Sequence, residues 1–600
     1  MMTRSYAPIL AAPILAALFL APPALADSAA PFKPGANRPT PPLSPVTEEM
    51  LDDPADGAWL THRGDRRGWG YSKLDQITRE NVHRLRYVWS SAVDPQRPES
   101  NPLIHDGVMF LNQSGDVIQA LDAATGERYW TYARALPEGL FRLSQVNRNI
   151  AIFGDKIFTG TADAHLVALD ARTGEVVWDR EIADHEGGHH YSGGPIIADG
   201  KVIAGISGCY LYAPGGCWVS AHDPDSGEEI WRVNTIEMPG DNPSDSWGGA
   251  PADRRFGGSV WVPPTYDAET GLLYVGVAVA IPWGRVQRAG QGDLLYTNST
   301  LAVDVKTGEI RWYRQHLPND NLDMDHAFER IVVTADVRPD PAAVRWINPD
   351  AAAGERDIIV GAFGKTGIVQ AFDKASGEFL WARETVAQNV ITELDLATGR
   401  QTQNPALANS RIGETVTMCP SFYGGKHWAA EAYNPTTGVL VVPLNNSCMN
   451  YTLKETKVNI GGYHFSADYS YAPVPGGSDQ IGRLEAIDVS TGTTLWKHEQ
   501  RAPFFNAALA TAGGVVFTGG VDGVLKAFDD RSGEVLWRVK LNTGLESYPA
   551  TYMVDGRQYL VVGTGGVVGF TQLTPEIERP HAGSIFVFAL DDAGTGGPNR

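Results

Sequence analysis

The sequence predicts an all-β protein of the propeller class, and three observations carry that reading. A short phrase recurs along the chain. It appears first as Ala120-Leu121-Asp122-Ala123-Ala124-Thr125-Gly126-Glu127-Arg128-Tyr129-Trp130, then around Asp170/Gly174/Trp178, Asp223/Gly227/Trp231, Asp304/Gly308/Trp312, Asp373/Gly377/Trp381, Asp488/Gly492/Trp496 and Asp529/Gly533/Trp537. Copies spaced by about fifty residues are the mark of stacked supersecondary units. Val, Ile, Tyr and Phe recur at period two and no long amphipathic helix intervenes, which excludes a helical solenoid.

Each phrase has the same physics. A strand ends at Asp, whose carboxylate accepts turn N–H groups, and Gly supplies the positive φ of a bulged hairpin. The chain returns as a second strand ending in Trp, a flat apolar face to set against the next blade. Degenerate copies stand at Tyr266-Asp267…Gly271 and Tyr433-Asn434…Gly438. Residues 61–90, with Trp69, Tyr71, Leu74, Ile77, Val82, Leu85 and Trp89, read as a turn or short helix leading to a strand. That strand is placed to close the ring by pairing with the last blade, built from 559–563 and 585–590, which removes an open edge.

The repeats run without a linker-like break, so one domain over residues 51–590 is expected. Met1–Ala26 has a lone Arg4, an apolar run and Ala24-Leu25-Ala26 before Asp27, the pattern of a cleaved secretory signal. Residues 27–50 are Pro/Ala-rich and read as flexible, and 591–600 as a frayed tail. No other run is apolar and long enough to span a bilayer, so no stable membrane insertion is expected. A net charge of −21 argues against nucleic acid or an anionic membrane as partner. An exported chain with four cysteines invites pairing, and three connectivities are open. Cys209 and Cys217 flank Ala213-Pro214-Gly215-Gly216, so a local bridge is the natural choice, leaving Cys419 with Cys448. Residues 330–356 read as a charged surface insertion, and 385–415 as a long loop able to cover an opening.

Function then falls to the loops between strands. Three are dense in polar and aromatic residues: His189–Pro195 with Gly205–Tyr210, Trp247–Trp283, and Pro318–His326. In the last, Asp323 and Asp325 point the same way if the segment is extended, with Asp320 nearby; they could share a cation or raise one another's pKa. The competing reading is a solvated acidic loop. No H-E-x-x-H or C-x-x-C occurs, no G-x-G-x-x-G opens a helix, and no G-x-S-x-G elbow is present. What remains is a Gly-lined, Trp-rich surface with acids, suited to clamping a planar cofactor.

With those residues in view, the chain resembles the pyrroloquinoline quinone (PQQ)-dependent alcohol dehydrogenases. The resemblance rests on Tyr71-Ser72-Lys73-Leu74-Asp75-Gln76-Ile77-Thr78…Asn81-Val82, the turn-and-Trp repeat, Gly258-Ser259-Val260-Trp261 with Pro282-Trp283, and Asp323-Met324-Asp325. It implies an eight-bladed propeller and a periplasmic enzyme that oxidises an alcohol, possibly a bulky one. Electrons would pass to a separate cytochrome c-type acceptor, since no C-x-x-C-H haem motif occurs in these residues. By the same resemblance, Glu99, Arg148, Ser192, Ser207, Gly208 and Ser259 ring the quinone, Trp261 is its stacking floor, and His427 and Trp428 lie beside it. Lys365 would meet the reactive quinone oxygens, and Asp323 would take the alcohol proton. The Cys419–Cys448 pair matches a family disulfide.

Two departures concern the metal. Where the family has a glutamate and an asparagine that join the catalytic aspartate in holding calcium, this chain has Tyr210 and Val279. Asp325 resembles the added ligand of lanthanide-using members. The expected metal set is thus Asp323 and Asp325, for Ca²⁺ or a lanthanide. The adjacent-cysteine disulfide that many relatives place over the quinone is also missing, with Leu143-Ser144-Gln145 near its place. The alternative function on the same fold is a noncatalytic binding or assembly scaffold. Lys365, Asp323 and Trp261 argue against it, since a scaffold has no need of them.

Overall fold

The computed structural model describes residues 37–591 except 96–98, 141–145, 464 and 567–568. The expected signal peptide, residues 27–36, residues 143–145 and the tail from 592 lie outside the described residues. Among the described residues, seven four-stranded antiparallel meanders follow one another along the chain, with first-to-last strands spanning 103–133, 151–181, 196–234, 265–315, 331–384, 432–500 and 509–540, and an eighth sheet takes three of its strands from 550–590. In two cases an extra strand joins the meander: Trp346–Ile347 on the fifth, and Tyr71–Ser72, parallel, on the seventh.

The eighth blade closes the ring as the sequence led us to expect. Leu85–Ala92, preceded by a short 3-10 turn at Val82–Arg84, supplies its outer strand against Ser584–Leu590. A strand from before the first blade is thereby hydrogen-bonded to the last strand of the eighth, which closes the ring.

The recurring phrase acts twice, once within its own blade and once between blades. Asp122 Oδ1 accepts the N–H groups of Ala124 and Thr125 at 3.0 and 2.9 Å, Gly126 has φ +74°, and the pairing slips at Ala120/Leu121 as a bulge. The glycine also receives the previous blade's tryptophan. A Cβ on Gly174 would lie 2.6 Å from the Trp130 ring, and Trp130 Nε1 donates to Ala171 O at 3.2 Å. Trp89 on Gly126, Trp178 on Gly227, Trp231 on Gly308, Trp312 on Gly377 and Trp496 on Gly533 repeat the arrangement. Glycine is therefore demanded by conformation and by contact together. The degenerate copies are a different turn: Asp267…Gly271 and Asn434…Gly438 join the first and second strands of their blades.

Three expectations are corrected. Residues 37–50 are not loose: Thr40 N donates to Arg172 O, Val46 bridges Gly154, and Glu48–Asp52 is helical with Thr47 as its cap. Residues 331–337 are the first strand of the fifth blade, with Ile331, Val333 and Val337 buried; the chain then leaves the meander, touches it again at Trp346–Ile347, and re-enters it at Gly354. Residues 391–403 form a hairpin closed by an overlooked copy of the turn, in which Asp395 Oδ1 accepts from Ala397 and Thr398. The hidden copy lacks the flanking apolar alternation because it belongs to no blade.

Both expected disulfides are present, Cys209–Cys217 and Cys419–Cys448. The second ties Thr415–Met418 to Cys448–Leu453, two strands of a small three-stranded sheet completed by Ala467–Ala472. No helix among the described residues is long and apolar enough to cross a membrane.

Candidate active site

A cavity of about 680 Å³ is lined by loops that the eight blades bring together from residues 146 to 469. Its acid wall is the connection between the fourth and fifth blades. Asp320 shapes that loop: its carboxylate accepts Leu322 N–H at 2.9 Å and Met324 N–H at 2.6 Å, and Gln403 Nε2 at 3.1 Å. Asp320 is buried and does not line the cavity, so it positions its neighbours and is no third ligand. Asp323 adopts φ +60°, a left-handed conformation that aspartate tolerates better than most residues. The segment is thus kinked at Asp323 and not extended, yet both acids still face one place.

That place is held by Lys365. Its Nζ lies 3.0 Å from Asp323 Oδ2 and 2.9 Å from Asp325 Oδ2. The lysine follows strand Gly354–Gly361 and is only 4 % exposed. Its backbone N–H donates to Asp325 O at 2.9 Å, and Gly364 before it packs so closely on the His326 ring that a Cβ would fall 2.6 Å away. Asp325 Oδ1 accepts Val279 N–H at 3.0 Å, so that carboxylate is engaged at both oxygens.

Burial works against the Lys365 ammonium, but the two carboxylates outweigh it and hold its pKa above the ordinary lysine value. Burial pushes Asp323 well above the usual carboxylate range; Lys365 opposes this and the like charge of Asp325 adds to it. Two acids facing one ammonium leave a surplus negative charge, which works with burial to raise the Asp323 pKa.

The floor is Trp261. Arg148 lies over its indole, guanidinium carbon 4.8 Å from a ring centroid, and donates to Trp261 O at 3.0 Å. Arg148 is fixed from behind by Glu99 at 2.5 Å, and among the described residues its Nε has no hydrogen-bond partner. Ser192 and Ser259 line the cavity beside it. Ser207 stands one layer back, accepting from Ser192 Oγ at 3.0 Å and donating to Val260 O at 3.2 Å. Gly208, at φ +89°, is pressed against Gly188 O and does not line the cavity. His427 does, packed 5.6 Å from Trp261 and 5.4 Å from Phe505. Trp428, expected beside the cofactor, is instead wholly buried against Phe505 and Tyr548, because the chain bends at this residue and turns the indole into the core.

Tyr210 and Val279 both line the cavity. The Tyr210 hydroxyl is 3.3 Å from His190 Nε2. His190 Nδ1 lies 3.2 Å from Gly188 O, a group that only accepts, so Nδ1 carries the proton and Nε2 receives that of Tyr210. Burial lowers the His190 pKa to about 4, keeping the ring neutral.

The rim was missed in the sequence. Phe422, Tyr423, Tyr463, Phe465 and Tyr469 line the cavity with Trp283; Tyr469 lies on the small sheet that Cys419–Cys448 staples, and the other four come from the segments just after Cys419 and just before the sheet's third strand. Its signal was present as aromatic side chains recurring at Tyr463, Phe465, Tyr469 and Tyr471 outside any blade phrase.

These residues suit a planar polyanion: a stacking indole, the Arg148 and Lys365 cations, and serine hydroxyls at the edge. They do not suit a hard divalent or trivalent ion. Such an ion gathers six to eight oxygens, whereas no group of three or more metal-binding side chains exists among the described residues. The two acids that remain are already bound to an ammonium.

An all-β propeller with cation, acid and aromatic floor converging on one deep cavity defines a cofactor-dependent enzyme, and comparison with known proteins names the cofactor. The sequence profile described as "PQQ: Glucose/ethanol/alcohol dehydrogenase, beta-propeller domain" matches residues 59–344 and 401–560. The quinoprotein ethanol dehydrogenase of Pseudomonas aeruginosa is 33% identical over 591 residues, covering 90% of this chain and 91% of that one. The 1-butanol dehydrogenase (quinone) of Thauera butanivorans is 31% identical, covering 92% and 96%. Among solved structures, the quinohemoprotein alcohol dehydrogenase of Comamonas testosteroni superposes with TM-score 0.81 at 29% identity, covering 92% of this chain and 83% of that one. A europium-containing methanol dehydrogenase superposes with TM-score 0.79 at 27% identity, covering 91% and 100%. The chain belongs to the PQQ-dependent quinoprotein alcohol dehydrogenase family, and it is a PQQ-linked oxidoreductase.

Proposed function

We propose that this protein oxidises a bulky primary or secondary alcohol to the aldehyde or ketone. The observation that carries this reading is the convergence of Asp323 and Lys365 in a cavity floored by Trp261 and Arg148. Arg148, Ser192, Ser259 and Lys365 would hold the quinone's anionic edge, and Trp261 its face. When bound, PQQ supplies the acceptor for the hydride leaving the alcohol carbon.

Asp323 takes the hydroxyl proton. Its raised pKa brings the base nearer to working pH, where a carboxylate is a better proton acceptor than at its ordinary value. Lys365 keeps that carboxylate in place and offers a positive charge where negative charge develops. Its three N–H groups can serve two acids and still leave a donor for the reacting oxygens. The rim of Phe422, Tyr423, Tyr463, Phe465 and Tyr469 excludes water from a wide mouth and offers flat apolar faces to a large or aromatic substrate.

We place the enzyme in the periplasm. Two disulfides fit an oxidising compartment, and the sequence begins with a signal-like segment. The acceptor is a separate cytochrome c-type protein, for which the net charge of −21 favours a basic face.

The test is to load the purified protein with PQQ and screen short, branched and aryl alcohols with an artificial acceptor. Turnover of the bulkier alcohols with kcat/KM above that of methanol supports the reading. Quinone binding without turnover of any alcohol would refute it.

A further inference from the structure

We propose that the Lys365 ammonium permanently occupies the place a metal ion would take beside the two aspartates, so that this enzyme binds quinone and turns over without calcium or a lanthanide. The inference rests on the quinone reading of the cavity and deepens it.

Four observations converge. Lys365 Nζ takes one oxygen from each acid, at 3.0 and 2.9 Å, which is the shared position between two carboxylates that a cation would take. The second oxygen of Asp325 is bound to the Val279 N–H, so of the two acids Asp323 alone retains, among the described residues, an oxygen without a protein hydrogen bond. The wall beyond is hydrocarbon: Ala278, Val279 and Ile281 supply no side-chain oxygen. Tyr210, the remaining polar group on that side, is a neutral phenol whose proton is directed to His190 Nε2. A hard ion entering here would have to displace a buried lysine, strip an acid of its N–H bond, and find most of its oxygens outside the protein.

The lysine is also suited to stay. It is buried, salt-bridged twice, and its own N–H is hydrogen-bonded to Asp325 O, so backbone and side chain lock the same pair of residues together. A second cation against that ammonium would meet direct repulsion beside groups that are themselves buried. The ammonium provides a positive charge with donors aimed by the protein itself, and unlike an ion it cannot dissociate.

The experiment uses the full-length protein. It is stripped with EDTA, its metal content measured by elemental analysis, and PQQ binding followed by quenching of tryptophan fluorescence, before activity is assayed with and without added Ca²⁺ or La³⁺. The expected result is quinone binding and turnover at fewer than one metal ion per ten chains, changed less than twofold by either ion. Quinone binding with turnover only after Ca²⁺ or La³⁺ is added overturns the inference and leaves the quinone function standing. Binding of PQQ under no condition overturns both.

A quinone-free readout separates the two further. Tb³⁺ luminescence sensitised by the cavity's tryptophans should be absent from the native protein, appear in Lys365→Ala, and disappear again in Lys365→Ala/Asp325→Asn. A native signal abolished by Asp325→Asn alone, or no gain in Lys365→Ala that circular dichroism shows to be folded, overturns the claim that lysine is the occupant.

Discussion

Arg148 spans two layers of the site: its guanidinium covers the Trp261 indole at 4.8 Å while one of its Nη atoms meets buried Glu99 at 2.5 Å. The same side chain therefore serves the cofactor side and the core side. Arg148→Ala should weaken PQQ binding by at least tenfold and also take one counter-charge from buried Glu99, which should lower the melting temperature. Arg148→Lys keeps the charge and loses the planar fork, so its stability loss should be smaller than that of alanine. Quinone titration and thermal melts on the same samples check both halves.

Asp323→Asn keeps the shape of the side chain and removes the base. General-base catalysis contributes about 10²–10⁴-fold, so kcat should fall by that order while PQQ affinity stays within a few-fold of the native protein. Steady-state kinetics at saturating quinone measure it. Full turnover by the variant would move the base elsewhere.

The pH profile follows from the direction of the Asp323 shift. A base is active only when deprotonated, and burial together with the Asp325 charge raises its pKa. Activity should therefore rise with pH along a limb displaced above the ordinary carboxylate range. Asp325→Asn removes the like charge and leaves Lys365 to Asp323 alone, so the limb should move to lower pH. A limb that stays in place or moves upward contradicts the coupling.

Cys419–Cys448 closes a loop with sequence separation 29 and staples the sheet that bears Tyr469 and borders the segments of Phe422, Tyr423 and Phe465. By loop-closure entropy such a bridge contributes about 3–4 kcal/mol. Replacing both cysteines by serine should lower the melting temperature. It should also raise KM for a bulky alcohol more than it lowers kcat, because the rim loosens while Asp323 and Lys365, held by other elements, do not.

The repeat makes its own prediction. Gly174→Ala would place a methyl 2.6 Å from the Trp130 ring at a residue with φ +73°. Strain and clash together should cost about 2–4 kcal/mol. Gly271→Ala, at φ +68° with nothing within 4 Å of the added carbon, carries the strain alone and should cost about 1 kcal/mol. Equal losses in chemical denaturation would remove the interblade contact from the account.

The sequence was most legible where the cause is local. The turn phrase displays its carboxylate, its glycine and its tryptophan in one short run, and each does what its chemistry requires at that position. The closing strand at 85–92 was legible for a related reason, since an open sheet edge must be covered by something. Asp323, Asp325 and Lys365 were readable as candidates only because motif and resemblance marked them. The disordered reading of residues 37–50 failed because proline-rich composition says nothing of docking sites such as Arg172 O and Gly154, which belong to distant strands.

By itself the amino-acid order determined the blades, their turns and the surfaces by which they stack, because those depend on contacts between neighbours in the chain or in adjoining repeats. Tertiary structure alone decided that one ammonium stands between two aspartates, that Trp428 turns into the core while His427 turns out, and that aromatic residues from non-blade segments line the cavity. These are meetings of segments far apart in sequence, and which side chain fills a shared space is settled only when ring closure fixes where each loop ends.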